Sequence, residues 1–542
     1  MARTRRDKAT SEKQFFSGVA ALTLSTVLVK LIGLLYKIPM MEYLGAEGMG
    51  YFNSAYDIYT MFFVISTAGL PVALSIMIAE NKAAGKYRNV KKIFKVSLSL
   101  LFFVGLAGTL LMSVFHGEFS AFIHNEKASL CILAISPTVL FICISSAIRG
   151  YFQGNQIMLP TAISQVIESA GKLILGLTFA VMAIDKGYDM PAVAAFAVLG
   201  ISIGVAASMV FLLICRIVYK PKPCGEIKSH ETQSSSQILK RLLAVAIPIT
   251  LSSAVISLTR VVDMTMILGR LQTVGYSKDM ANAVYGSYST MAVSIYNLPT
   301  TLITAISVPL VPMLTAAFES KDKIKERITL SSSIKLTALV AFPSSLGLAV
   351  FSKPILRLLF ASQRDEIEYI APLLSILGIS VFLACMITLT NAILQAYKMV
   401  NKPIISMALG AAVKVAASYL LIGIPSVNIY GAPISTFLSV LTIVSVNLYF
   451  IVKRIGRIEG VLTLFGRPFA ASFLSVALGL AFYVLLESFV PSKWNVMIAV
   501  AAVVLLYTVL ALKLRAIDKD DIAMMPLGEK LARALVRIKL LK

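Results

Sequence analysis

Apolar runs of about twenty residues or more recur fourteen times along this chain, separated by short polar connections. They fall at about 15–38, 51–79, 93–115, 128–149, 157–184, 191–218, 240–269, 281–312, 328–352, 367–396, 403–424, 428–452, 467–488 and 494–514. Each approaches or exceeds the roughly 20 residues that a helix needs to cross a bilayer. The connections alternate in charge, and most of the 50 Lys and Arg residues lie in every second one and at the two ends. Short loops rich in Lys and Arg stay cytoplasmic, so this threading leaves both termini inside. The pattern predicts an all-α, multi-pass membrane protein.

Two features organise the fourteen spans. The longest inner connection (KPKPCGEIKSHETQSSSQ) is polar and rich in Ser and Pro, and it separates six spans from eight. An internal repeat relates the fifth and eleventh spans at an offset of 242: Gln153 matches Gln395, Ser164 matches Ser406, and Lys172 matches Lys414. A weaker echo, Thr23-Leu24-Ser25 against Thr250-Leu251-Ser252, relates the first and seventh. Six spans return a chain to the same side, so these matches predict two parallel six-helix lobes, an arrangement that suits a transporter with its site between the halves. The predicted plan is a basic N-terminus (1–14), an N-lobe (15–219), a linker (220–239), a C-lobe (240–453), two further spans (454–515) and a basic tail (516–542). In that tail Lys530, Arg533 and Arg537 share one side and Leu531, Leu535 and Ile538 another, as in an amphipathic helix on an anionic leaflet.

Composition narrows the function. The chain is 58% hydrophobic and 14% charged, with mean hydropathy +0.83. Its net charge of +23 would suit nucleic acid, but the excess lies in the inner loops and is topological. The run from Phe15 to Met40 is too long for a signal-peptide core and carries Lys30. Five cysteines and three loop histidines form neither a disulfide framework nor a metal site. No phosphate-cradling loop or catalytic cluster is visible, and Asp365, Glu366 and Glu368 read as a solvated outer patch. Neither an enzyme nor a cofactor is expected, so transport would be passive or driven by an ion gradient or the membrane potential.

The informative residues are charges inside the apolar runs, where each costs a few kcal/mol and faces a partner or a cavity. Lys30, Lys172, Arg260 and Lys414 lie well inside spans, and Lys37 and Lys335 lie closer to ends, within snorkelling reach of headgroups. Only Glu168, Asp263 and Asp57 oppose them. Glu168 with Lys172, and Arg260 with Asp263, have helical spacing for ion pairs. The excess of cations predicts a positively charged cavity for an anionic substrate such as a pyrophosphate headgroup, with Asn53 and Asp57 near its outer mouth. Helix breakers at Gly69-Leu70-Pro71, Pro137, Pro248, Asn297-Leu298-Pro299 and Pro343 mark kinks or hinges.

The segments LGAEGMGYFNSAYDIY with STAGLPVALS (44–75), YNLPTTLITAISVPLVPMLTAAF (296–318) and PILRLLF (354–360) resemble the multidrug/oligosaccharidyl-lipid/polysaccharide exporter superfamily. Within it they are most similar to the branch of MurJ-type lipid II flippases and stage V sporulation protein B. The resemblance implies a two-lobed, alternating-access fold with a cationic cavity, its last two helices forming a groove for a polyprenyl tail. It implies a flippase moving a polyprenyl-pyrophosphate-linked saccharide, most readily the peptidoglycan precursor lipid II, in cell-wall biogenesis or sporulation. Another lipid-linked polysaccharide, or a drug exported against a cation, is the alternative on the same scaffold. The branch's first-span arginine falls on Lys30, which keeps the charge and loses the bidentate geometry. Its eighth-span arginine falls on Ser294, leaving Arg260 to supply that charge. The implied partners are the lipid-linked anion and membrane lipids, with no need for more than a monomer.

Overall fold

The computed structural model describes residues 2–219, 233–319, 323–456, 460, 462–489, 494–514 and 516. Helices account for almost all of them, with no strand among the described residues. In order they are α1 (Ala2–Thr67), α2 (Leu70–Ala83), α3 (Tyr87–Val114), α4 (His116–Phe122), α5 (Ser129–Ile135), α6 (Pro137–Gly154), α7 (Leu159–Asp185), α8 (Met190–Val218) and α9 (Ser235–Thr273). Then come α10 (Lys278–Ser287), α11 (Ser294–Glu319), α12 (Lys323–Val350), α13 (Ser352–Leu359), α14 (Arg364–Ala396), α15 (Asn401–Ile422), α16 (Gly431–Ile455), α17 (Arg467–Phe489) and α18 (Trp494–Lys513). Among the described residues eleven helical segments are long and apolar enough to cross a membrane, and the first, Leu28–Ala83, holds the end of the first predicted span and all of the second. Helices α9 and α11 stand where the seventh and eighth spans are expected. The chain is a multi-pass membrane protein. The predicted tail helix and most of the linker lie outside the described residues.

Contacts divide the chain into Met1–Thr290 and Met291–Lys542. In the first unit α1 is the organising helix and packs against α7, α8, α9 and α10. It runs through the predicted loop between spans one and two and bends at Gly45, where φ is 61° and ψ −171°. That backbone state is reserved for glycine. A methyl group there would meet nothing within 4 Å, so the residue is set by the backbone rather than by space. The chain breaks at two predicted places: α2 starts at Leu70 with Pro71 in its first turn, and α6 starts at Pro137. Pro248 and Pro343 lie inside the continuous helices α9 and α12. Helices α7 and α8 meet closely because a Cβ on Gly171 would stand 2.6 Å from Gly204 Cα, a small-residue seam typical of membrane helices.

The second unit packs α11, α12, α14 and α16 around a core that includes Leu314, Ile334, Leu389 and Ile393. Helices α17 and α18 lie against α12 and α13 through Phe351, Val476 and Tyr483, and the Tyr507 hydroxyl donates to the Leu339 carbonyl at 2.7 Å. Their outer faces expose Phe473, Leu478, Val504 and Leu505, as lipid-facing surfaces do. Lys335, within snorkelling reach on sequence, is instead buried in α12 at 9% exposure. Asp365 and Glu366 open the first turn of α14, where carboxylates favour the helix dipole, and Glu368 is held by Lys353 at 2.6 Å and Arg357 at 3.5 Å.

Candidate substrate-binding site

The sequence-predicted charges of the first unit converge along α1. Helix α7 carries Glu168 and Lys172, α9 carries Arg260 and Asp263, and α1 carries Lys37 and Asp57. The Lys172 ammonium lies 4.1 Å from the Tyr56 ring centroid and 5.3 Å from that of Tyr36. Phe52 bridges these two rings, with centroids 5.9 Å from Tyr36 and 6.2 Å from Tyr56. A cation over aromatic faces is attracted by the ring quadrupole, at a gain of about 2 kcal/mol when desolvated. Lys37 stands within electrostatic reach of Lys172, Asp57 and Arg260, and Asp57 within reach of Arg260, Lys37 and Asp263. One carboxylate oxygen of Asp57 accepts a 2.6 Å hydrogen bond from the Tyr285 hydroxyl on α10.

Glu168 does not pair with Lys172, contrary to the spacing argument. Its carboxylate meets Arg149 on α6 at 2.8 Å, and the guanidinium also donates to Ser164 Oγ at 2.9 Å and Ser208 Oγ at 3.2 Å. The side chains are 12% and 25% exposed. A guanidinium offers five donors in a fixed fork, so it satisfies the carboxylate and two hydroxyls together, which a single ammonium at Lys172 cannot do in that plane. Lys37, expected to reach a headgroup, is half-buried beside the α7 and α9 charges instead.

Other predicted residues lie apart from this cluster or serve packing. Lys30 is exposed on α1 two helical turns before Lys37, and Lys414 is half-buried on α15 in the second unit. Asn53 is buried at 2% exposure and donates to Thr290 Oγ1 at 2.8 Å. It belongs to a band of contacts at the predicted outer end of the unit. Asn125 donates to Ser54 Oγ at 3.0 Å and to Asn282 Oδ1 at 2.8 Å, and Asn282 donates to the Glu47 carbonyl at 2.9 Å. Ion pairs Lys127–Asp279 at 2.7 Å and Lys278–Glu126 at 2.8 Å flank it. His116 bonds Ser129 Oγ at 2.6 Å, and no group that could hold a metal ion occurs among the described residues.

The arrangement can hold an anion with three cations, Lys37, Lys172 and Arg260, against two carboxylates, Asp57 and Asp263. Sequence reasoning missed Tyr36, Tyr56, Tyr285 and Arg149. Tyr36 and Tyr56 do flank charged residues directly, which is a usable signal, whereas Arg149 sits at a span end and reads as a loop charge.

Comparison with known proteins places the scaffold. The family described as "Polysaccharide biosynthesis protein" matches residues 15–318, and the MatE family matches residues 248–420. Stage V sporulation protein B of Bacillus subtilis (strain 168) is 25% identical over 533 residues, covering 97% of this chain and 100% of that protein. The lipid II flippase MurJ of the same organism is 26% identical over 426 residues, covering 75% and 77%. A solved structure of the lipid II flippase MurJ in an inward closed conformation superposes with a TM-score of 0.69 at 16% identity, covering 90% of this chain and 97% of that one. At that identity the superposition speaks for the fold. With more than half of its length matched, the chain belongs to the polysaccharide biosynthesis protein family.

Proposed function

We propose that this protein is a flippase that moves a polyprenyl-pyrophosphate-linked saccharide, lipid II first among them, from the inner to the outer leaflet of a bacterial plasma membrane. The observation that carries this reading is the membrane-embedded cluster of Lys37, Lys172 and Arg260, whose positive excess suits a pyrophosphate. The lipid II flippases among its relatives and the similarity of fold support it. Arg260 supplies bidentate contacts, Lys172 a desolvated point charge on its tyrosine platform, and Lys37 the third cation. Lys30 on α1 is a further headgroup cation of the first unit and Lys414 on α15 one of the second, Glu168 fixes the position of Arg149, and Asp263 tunes Arg260. Spans thirteen and fourteen shelter the polyprenyl tail against their apolar faces. Both termini are cytoplasmic, the protein acts as a monomer, and the membrane potential or an ion gradient drives the cycle.

A second reading keeps the mechanism and changes the cargo to another lipid-linked polysaccharide unit, which the family description favours. A drug exporter coupled to cations calls for a site dominated by carboxylates, and the first-unit cluster has the opposite balance. The test is growth of a bacterium whose own lipid II flippase can be shut off, with wild type, Lys172→Ala and Arg260→Ala at matched membrane levels. Rescue by wild type and failure of both variants supports lipid II flipping through this cluster. Failure of well-expressed wild type moves the cargo to another lipid-linked saccharide, and rescue by both variants removes the cluster from the mechanism.

A further inference from the structure

In the first unit Arg216 is held in place by aromatic rings, yet nothing answers its charge. It lies in the last turn of α8, at the end predicted to face the cytoplasm. The guanidinium carbon stands 4.4 Å from the Tyr151 ring centroid on α6 and 5.1 Å from that of Phe94 on α3. Those two centroids are themselves 4.7 Å apart. The three distances make a nearly equilateral triangle, so the rings support the guanidinium from one side and do not sandwich it. Among the described residues no ion pair includes Arg216, and its Nε is buried without a hydrogen-bond partner. A buried donor without a partner is costly, and more so when it is charged. Arg149 avoids that cost by bonding Glu168, Ser164 and Ser208. Helix α16, the counterpart of α8 in the six-span repeat, also ends on a stacked arginine, with Arg454 5.6 Å from the Phe318 ring. There an acid is at hand: Phe318 meets Tyr397 edge-on at 5.1 Å, and the Tyr397 hydroxyl donates to Glu326 at 2.5 Å. Among the described residues no hydrogen bond or ion pair brings a carboxylate to the Arg216 platform in that way.

We propose that Arg216 anchors a binding site for the phosphate of an anionic phospholipid in the inner leaflet. The rings fix the guanidinium for bidentate contact with a phosphate, which also gives Nε its missing acceptor. Ile217 and Val218, the next two residues, are 73% and 77% exposed and meet the acyl chains. Lys91 and Lys95, exposed on α3 one turn before Phe94 and next after it, add charge at the rim. Cytoplasmic leaflets supply anionic lipids to such basic surfaces. One unpaired guanidinium matches the single charge of a phosphodiester, whereas a pyrophosphate calls for the several cations of the other cluster. The two sites are also far apart along α8. A Cβ on Gly204 would stand 2.9 Å from the Lys172 backbone nitrogen, so Gly204 marks the level of that cluster. From Gly204 to Arg216 the helix advances about 18 Å at about 1.5 Å per residue. The inference therefore stands apart from the flippase reading.

The experiment is native mass spectrometry of the full-length protein with dioleoylphosphatidylglycerol titrated in, and zwitterionic dioleoylphosphatidylcholine as control. Wild type takes up a first phosphatidylglycerol saturably and in preference to phosphatidylcholine. Arg216→Lys keeps the charge but loses the planar fork and its stacking face. It binds that first lipid about tenfold more weakly, equivalent to about 1.4 kcal/mol. Phe94→Leu keeps the guanidinium, loses one ring and weakens binding about threefold, which decides the question if Arg216→Lys is poorly folded. Wild-type affinity in Arg216→Lys overturns the proposal, since a charge that merely reaches any headgroup gives that result. Equal uptake of the two lipids by wild type overturns it as well. Undecaprenyl pyrophosphate added in competition separates the two lipid sources. If it leaves the first phosphatidylglycerol in place, the phospholipid assignment holds; if it displaces that lipid from wild type, the site belongs to the substrate and the assignment falls.

Discussion

The turn that ends α6 and the turn that ends α14 repeat each other 242 residues apart, whereas the chemistry that grows from them differs. Gln156 and Lys398 both adopt left-handed conformations, with φ of 64° and 59°. Ile157 N–H donates to the Phe152 carbonyl at 2.9 Å, and Met399 N–H to that of Leu394 at 2.9 Å. Ser164 Oγ donates to the Thr161 carbonyl and Ser406 Oγ to that of Pro403, at 2.7 Å and 3.0 Å. At the same offset Lys172 answers to Lys414. Yet Arg149 becomes Asn391, which accepts from Asn447 Nδ2 at 2.9 Å, and Glu168 becomes Gly410, whose carbonyl accepts from Ser439 Oγ at 2.8 Å. The repeat keeps its backbone punctuation and its lysine, and the second copy has lost the buried ion pair. Turns and caps are what duplication preserves, because they fix the path of the chain. Polar side chains between helices are free to change once both partners change together.

The sharpest way to break this comparison is to strip one partner from the first copy. Glu168→Leu leaves Arg149 charged in a nearly dry setting and costs about 3 kcal/mol or more of stability, read as a lower unfolding temperature in detergent. The double variant Arg149→Met/Glu168→Leu recovers most of that loss. In the second copy the same position is crowded, because a Cβ there runs into the Ile443 side chain, which must shift to admit it, and stands 3.1 Å from the Ser439 carbonyl. Gly410→Ala therefore costs about 2 kcal/mol by overpacking, and restoring a glutamate there does not rebuild the pair. Tyr56→Leu removes the nearer platform under Lys172 and costs about 1 kcal/mol, while Tyr56→Phe, which keeps a ring, stays close to wild type in thermal unfolding. The smallest effects test what the two copies share. Gln156→Gly and Lys398→Gly each relieve a left-handed residue and gain up to about 1 kcal/mol, with similar shifts in unfolding temperature. A clear difference between them would mean that the two turns are alike only in shape.

What the sequence made legible follows from the same contrast. Spans are legible because an apolar run of membrane length is rare outside a bilayer, and the repeat because its matches share one offset. Lys172, Arg260 and Asp57 stand out because charge inside an apolar run is costly. Tyr36 and Tyr56 carry only the weaker mark of a charged neighbour, Lys37 and Asp57, and Tyr285 carries none in a chain with 20 tyrosines. Helical spacing assigns Glu168 the wrong partner for a related reason. Spacing along one helix shows which groups are near neighbours, and only packing of α6 against α7 and α8 shows that Arg149 reaches the carboxylate with a better fork of donors. Lys37 and Lys335 teach the converse: a lysine near a span end can turn inward as readily as toward a headgroup.

The bend in α1 has a stereochemical consequence. At Gly45 there is room for a methyl group but no backbone state in which an L-residue can carry one. Inverting the chirality exchanges φ 61° and ψ −171° for the mirror values, which fall in the ordinary extended region for a residue of the opposite hand. D-alanine is therefore expected to fit at position 45 where L-alanine does not, so that handedness rather than volume defines what the first connection of this protein accepts.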